Sequence, residues 1–130
     1  MQSIIVPGTG AYTKVLVSGK YRFLPTALWD GLEGPKPENP AAFVCNGCTM
    51  SPDQLRGKEI WPACVIHDFQ YGVESYVDRK DADAAFRRNI SFLMKAQGVF
   101  APLAWLISFT YWRAVRRAGR RFYSGSGDAS

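Results

Sequence analysis

A carboxylate on an apolar helix face constrains this chain more than any other feature of its sequence. Residues 78 to about 97 predict a helix whose apolar stripe includes Phe86 and Ile90. Asp83 lies three residues before Phe86 and seven before Ile90, which places its carboxylate on the same stripe. An unpaired carboxylate is costly to bury, so Asp83 needs a partner in the core. His67, the only histidine of the chain, is the candidate partner.

His67 falls on another predicted helix, which starts near residue 61 and ends at Gly72. Residues three and four apart share a helix face, so one face carries Cys64, His67, Asp68 and Tyr71. In ester hydrolysis, a histidine can act as general base on water when a carboxylate fixes its tautomer. His67 and Asp83 therefore form a candidate catalytic pair. Asp68 is a candidate ligand for calcium, together with oxygen atoms of the upstream segment CNGCT.

The N-terminal half reads as strands and loops. Residues 1–24 contain the β-rich patches SIIV, KVLV and YRFL, separated by turn residues, which predicts short strands or an extended arm. Prolines and glycines at 30–40 predict a loop, and turn residues at 45–57 predict a second loop. We expect the first 40 residues to form an extended or β-hairpin arm beside a helical domain.

A third helix is predicted from about Pro102 to Ala118, with Gly119 as its cap. Its uncharged stretch is interrupted and shorter than the usual transmembrane span, so we expect a helix of the protein core. The chain is long enough for one compact domain. Within it we distinguish the arm at 1–40, the helical domain at 41–121 and a flexible tail at 122–130.

The net charge of +5 favours contact with anionic surfaces, either acidic lipid or nucleic acid. The late cluster Arg113, Arg116, Arg117, Arg120 and Arg121 has no intervening acid and predicts either a basic patch or a solvated helix face. Nearby aromatic residues could seat the protein on a phospholipid surface or could simply pack in the core; they are Trp105, Trp112, Phe122 and Tyr123.

Three cysteines, Cys45, Cys48 and Cys64, allow at most one disulfide. The C-x-x-C at 45–48 has neither a second such pair nor enough histidines to complete a zinc site. The first residues lack the basic and apolar regions of a usual signal peptide. We therefore expect virion association or secretion by an unconventional route, with the cytoplasm as the alternative location.

The segment NGCTMSPDQLRGKEIWPACVIHDFQYG resembles the calcium loop and catalytic helix of the prokaryotic and fungal phospholipases A2. That family has D-G-C or D-x-C, then S-P-D-N-P-F-G, then an alanine-cysteine pair and R-H-D-F-G-Y in the same order. DADAAF at 81–86 is similar to its next long helix, and FTYWRAVRRAG at 109–119 is similar to its closing helix. The resemblance covers residues from about 44 to 119.

The resemblance implies a mainly α fold, with two long antiparallel helices and a C-terminal helix. It implies calcium-dependent hydrolysis of the sn-2 ester of glycerophospholipids. His67 would be the general base, Asp83 its orienting partner and Tyr71 a supporting residue. The implied calcium ligands are Asp68, Asn46 and Gly47, and the implied disulfide joins Cys48 to Cys64 and leaves Cys45 as a free thiol.

The chain departs from the family at Asn46, where a ligating aspartate is usual, and at Ile66, where an arginine is usual. One carboxylate fewer should weaken calcium binding. The alternative hypothesis is therefore a weakly active or inactive structural component of a phage particle or secretion machine, contacting other proteins of that assembly through the N-terminal arm. A nucleic-acid-binding domain has the least support, because only the arginine cluster favours it.

Overall fold

A computed structural model of the chain describes residues 12–17, 19–43, 54–55, 58–72, 76–125 and 127. Its described part is mainly helical, with a two-stranded antiparallel hairpin near the N-terminus. The elements are β1 (Tyr12–Val17), β2 (Lys20–Pro25), α1 (Thr26–Gly31), β3 (Gln54–Leu55), β4 (Lys58–Glu59), α2 (Trp61–Tyr71), α3 (Arg79–Ala96) and α4 (Ala101–Ala118), followed by a 3-10 turn over Gly119–Phe122.

The predicted patches KVLV and YRFL form the β1–β2 hairpin, with Tyr12 opposite Pro25 and Val17 opposite Lys20. The patch SIIV lies outside the described residues. β-Branched and aromatic residues favour a pleated strand whose side chains alternate between two faces. Val15, Val17 and Leu24 are buried and belong to the same hydrophobic core as the helices. The hairpin is thus part of the core.

The structure differs from the prediction in both predicted loops, at 30–40 and at 45–57. Helix α1 extends to Gly31 and so includes the first two residues of the 30–40 segment. Pro25 caps its N-terminus, and Trp29 is buried in the core. Within 45–57, Gln54–Leu55 is a strand that pairs with Lys58–Glu59. Elements of two and six residues are too short for hydrophobic periodicity to reveal.

The three long helices agree with the predicted bounds to within two residues. Gly119 is the C-terminal cap of α4, as predicted, and its backbone N–H donates to the backbone oxygen of Val115. Its φ of −76° is an ordinary right-handed value, and a 3-10 turn follows. A Cβ at this position would stand 2.6 Å from the Tyr71 hydroxyl. Gly119 is therefore required for close approach of the chain to α2.

Helix α3 packs between α2 and α4. Tyr71, at the end of α2, contacts Arg79 at the start of α3. His67, one turn earlier in α2, contacts Asp83 and Phe86 further along α3. The two helices are therefore antiparallel. Ala104, Ser108 and Val115 form the buried stripe of α4, and two of these are small side chains that allow α4 to approach closely. No helix in the described part of the chain is long and apolar enough to cross a membrane.

The start of the predicted flexible tail is hydrogen-bonded to the helical domain. The Tyr123 hydroxyl donates to the backbone oxygen of Val77 at 2.5 Å. The Ser124 backbone N–H donates to the backbone oxygen of Tyr71 at 2.8 Å. These contacts close the chain over the C-terminal end of α2.

Candidate active site

The buried carboxylate and the single histidine meet as their positions on the two helices predict. His67 Nε2 lies 2.8 Å from Asp83 Oδ1, between α2 and α3. The Asp83 side chain is 0% exposed and that of His67 is 12% exposed. The pairing of His67 with Asp83 is confirmed, while their catalytic roles remain predictions.

Two aromatic rings hold the imidazole in place. Phe86, one turn after Asp83, stacks on His67 with ring centroids 4.3 Å apart and planes 25° apart. Tyr71, one turn after His67, lies with its ring centroid 4.2 Å from the imidazole. Since Nε2 is engaged by Asp83, Nδ1 is the nitrogen left for another partner. No described residue forms a hydrogen bond with Nδ1.

Asp83 accepts hydrogen bonds from four side chains. The Tyr71 hydroxyl donates to Oδ1 at 2.5 Å, alongside His67. Arg116 of α4 donates to Oδ2 at 2.9 Å, and Arg79 of α3 donates to the same oxygen at 3.4 Å. Four donors compensate the loss of water around a fully buried carboxylate. We call these five residues the Asp83 cluster.

The Asp83 cluster keeps its carboxylate ionised. Burial by itself would raise the pKa of the Asp83 carboxyl, but the hydrogen bonds from His67, Tyr71 and Arg116 outweigh burial and lower this pKa below its ordinary value. Burial, followed by the hydrogen bond to Asp83, raises the pKa of the Tyr71 hydroxyl. Tyr71 therefore remains protonated at neutral pH and donates to a carboxylate that is ionised there.

The sequence reasoning missed the two arginines of the Asp83 cluster. Arg79 precedes Asp83 by four residues on α3, a spacing that allows side-chain contact and could have identified it. Arg79 is also almost fully buried and donates to the backbone oxygen of Val115 at 3.1 Å. Arg116 is one of five arginines in the basic cluster at 113–121. The sequence alone does not reveal which of them faces α3.

Gln70 was also overlooked, although it stands where the phospholipase motif has glycine. Its side chain is fully buried, and its Nε2 donates to the backbone oxygen of Pro35 at 3.3 Å. Gly34 has φ of +88°, and a Cβ there would overlap the Gln70 amide. Gln70 thus holds the proline-rich segment against α2.

An open groove of about 830 Å³ lies beside the proline-rich segment, lined in part by Pro35, Pro37, Phe43, Phe69 and Val77. Phe69 follows His67 by two residues, which places the two side chains on nearly opposite faces of the helix. The groove is therefore separate from the imidazole of His67.

The predicted calcium ligands are only partly described. Asp68 follows His67 on α2 and is half-buried. Asn46 and Gly47 lie outside the described residues. Within the described ranges, no group of three His, Cys, Asp or Glu side chains could hold a metal ion. The donor set of one carboxylate, one amide oxygen and a backbone carbonyl consists of hard oxygen atoms, which suits calcium with low total charge.

Cys64 is disulfide-bonded. Cys45 and Cys48, the other two cysteines of the chain, lie outside the described residues. The predicted pairing of Cys48 with Cys64 therefore stays a prediction. Cys64 itself lies on α2, one turn before His67.

The comparisons give no family for this arrangement. No family model, no curated protein and no solved structure matches the chain. The site must therefore be interpreted from its own geometry. A histidine with one nitrogen bound to a buried carboxylate and the other nitrogen free has the arrangement of a general base. No described hydroxyl or thiol forms a hydrogen bond with His67.

Proposed function

We propose that the chain is a calcium-dependent phospholipase A2-like hydrolase that cleaves the sn-2 ester of glycerophospholipids. The observation that carries the proposal is the 2.8 Å contact between His67 Nε2 and the fully buried Asp83 carboxylate. This contact would hold the proton on Nε2 and leave Nδ1 as the basic nitrogen. The resemblance of residues 44–119 to the phospholipases A2 supplies the substrate class.

In this mechanism His67 removes a proton from water through Nδ1 as the water oxygen attacks the ester carbonyl carbon. Asp83 stabilises the imidazolium that forms, and the other three donors to Asp83 hold its carboxylate in position. His67 then returns the proton to the glycerol oxygen as the ester bond breaks. The products are a fatty acid and a lysophospholipid.

Asp68 would hold the calcium ion together with oxygen atoms of Asn46 and Gly47. Bound calcium would polarise the ester carbonyl and attract the phosphate of the substrate. Asp68 follows the base directly, so ligand and base lie 100° apart around the α2 axis. This spacing supports one substrate reaching both residues. The proposed partner is accordingly a phospholipid membrane surface.

Release of fatty acid from a monomeric short-chain phospholipid tests the proposal without requiring a membrane. We expect release with calcium and none with chelator. His67→Ala should lower the rate at least about 100-fold, the usual contribution of a general base. Asp68→Asn should raise the calcium concentration needed. Asp81→Asn is the matched control for Asp68→Asn, because Asp81 is an exposed aspartate on α3 and lies outside the Asp83 cluster.

One observation favours a second function, that of a phospholipase-like structural component. Asn46 gives the calcium site a neutral ligand where the family has a charged one. Folded wild-type protein that releases no fatty acid at saturating calcium would favour this function. Gain of activity in Asn46→Asp would then identify the calcium site as the cause.

A further inference from the structure

The outer side of α4 joins exposed apolar residues to a row of arginines. Phe100 is 66% exposed, Trp105 51% and Leu106 53%. Arg113 and Arg117 follow on the same side, because they lie 7 and 11 residues after Leu106, and Arg120 is exposed in the 3-10 turn that continues α4. We call these six residues the α4 face.

Large apolar side chains are exposed on the α4 face because small residues make the contact with α3. Ala104 and Ser108 occupy the buried stripe, so the bulk of the helix points outward. Trp105 stacks on Phe109 with centroids 5.3 Å apart, and the Arg87 guanidinium lies 5.3 Å from the Trp105 ring. Apolar groups therefore lie at the N-terminal half of the α4 face, and arginines lie at its C-terminal half. Clustered exposed apolar residues mark interaction sites.

The charge around the α4 face has one sign. Residues 84–127 contain eight Arg or Lys and no Asp or Glu, a charge of +8. The rest of the chain contributes the other eight cations and all eleven acids, a charge of −3, and 8 − 3 gives the total of +5. Arg113, Arg117 and Arg120 form no ion pair with any described residue. An anionic partner would neutralise this excess.

We propose that the α4 face docks on the surface of a bilayer that contains anionic lipid. A bilayer surface accepts both parts of the face, because indole, phenyl and leucyl groups partition into the interface while arginines bind lipid phosphates. Nucleic acid would satisfy the arginines but leave Phe100 and Leu106 in water. The helix lies along the surface, with its apolar half inserted and its basic half on the headgroups.

The basic half of the α4 face lies at the same level along α4 as the contact between Arg116 and Asp83. Arg116 of α4 binds Asp83, and Arg117 is the next residue, so the basic half of the face is adjacent to the Asp83 cluster. The choice of lipid as partner rests on the proposed function. Docking itself needs no hydrolysis, so binding and turnover can be measured separately.

Tryptophan fluorescence in the presence of chelator measures docking without turnover. Trp29 and Trp61 are buried, so a blue shift on binding reports the two tryptophans of α4. We expect a shift with vesicles of mixed phosphatidylserine and phosphatidylcholine and much less with phosphatidylcholine alone. Arg117→Gln with Arg120→Gln should weaken binding by about five-fold for each arginine removed. Leu106→Ser should weaken it further.

The matched control is Lys14→Gln with Lys20→Gln, which removes the same charge from the exposed side of the β1–β2 hairpin. It should change vesicle affinity by less than about two-fold if the α4 face makes the contact. Equal losses in both double variants, or no binding of wild type to anionic vesicles, would overturn the proposal. Tight salt-dependent binding to duplex DNA without vesicle binding would overturn it in favour of nucleic acid. Hydrolysis of the monomeric substrate is unaffected by these outcomes and tests the site alone.

Discussion

Arg116 and Arg117 are neighbours on α4 with opposite surroundings. Arg116 turns inward, and its guanidinium lies 2.9 Å from the fully buried Asp83 carboxylate. Arg117 is exposed and forms no ion pair with any described residue. A charge interaction grows as water is removed from around it, so the same residue type has different roles on the two sides of one helix. The inner arginine stabilises the Asp83 cluster, and the outer one is available to a partner.

The largest expected effect comes from removing the charge at the centre of the inner region. Asp83→Asn leaves Arg79 and Arg116 without their counter-charge, and breaking a buried ion pair costs about 3–5 kcal/mol. Urea denaturation should show this loss in the free energy of unfolding. Asp81→Asn should cost less than about 1 kcal/mol, because Asp81 is an exposed residue of the first helical turn. Equal losses would show that the Asp83 cluster contributes no special stability.

Protonation should remove the same interaction. The pKa of Asp83 in the folded protein lies below its ordinary value of 3.8. Its contribution to stability is therefore present above that value and is lost as the pH falls toward the folded pKa. Urea midpoints measured from neutral to strongly acidic pH should decline for wild type and for Asp81→Asn. The decline should be smaller for Asp83→Asn, and parallel curves for all three proteins would contradict the assignment.

Much of this organisation can be predicted from the sequence, and the reasons are physical. The three long helices follow from apolar repeats sustained over 11 to 18 residues. The contact between His67 and Asp83 follows because a carboxylate on an apolar stripe needs a polar partner and the chain offers one histidine. Periodicity and the cost of buried charge are local properties that a sequence records.

The sequence does not reveal features that depend on how elements meet. Helix α1 and the β3–β4 pair are too short for a periodic signal, and tertiary contacts stabilise them. Arg116 could not be separated from the four other arginines of its cluster, because the rotation of α4 about its axis depends on packing against α3. Gln70 stands where the phospholipase motif has glycine, but the sequence does not reveal that its side-chain amide binds the backbone at Pro35.

The comparison of the two arginines can be tested with one substitution at each position. Arg116→Gln removes a charged hydrogen bond to a buried group and should cost about 1.5–3 kcal/mol. Arg117→Gln should stay within about 0.5 kcal/mol of wild type, as exposed substitutions usually do. Chemical denaturation of both variants measures the difference. A loss in Arg117→Gln as large as in Arg116→Gln would remove the distinction between the inner and outer regions.

The smallest expected effect concerns the hydroxyl of Tyr71. Tyr71→Phe removes one of four donors to Asp83 and should cost about 0.5–1.5 kcal/mol by thermal or urea unfolding. Tyr111→Phe is the matched control, since Tyr111 is half-buried and its hydroxyl makes no hydrogen bond with any described residue. The control should be nearly neutral. If the two substitutions are equivalent, the hydrogen bond from Tyr71 contributes nothing to the cluster.

The most direct test of the central claim is the tautomer of His67, measured by the ¹⁵N chemical shifts of its ring at alkaline pH. The chain has one histidine, so its signals need no assignment by mutation. We expect a single neutral tautomer with the proton on Nε2, held by Asp83, and a mixed population in Asp83→Asn. A proton on Nδ1 in the wild-type protein would contradict the proposed general base.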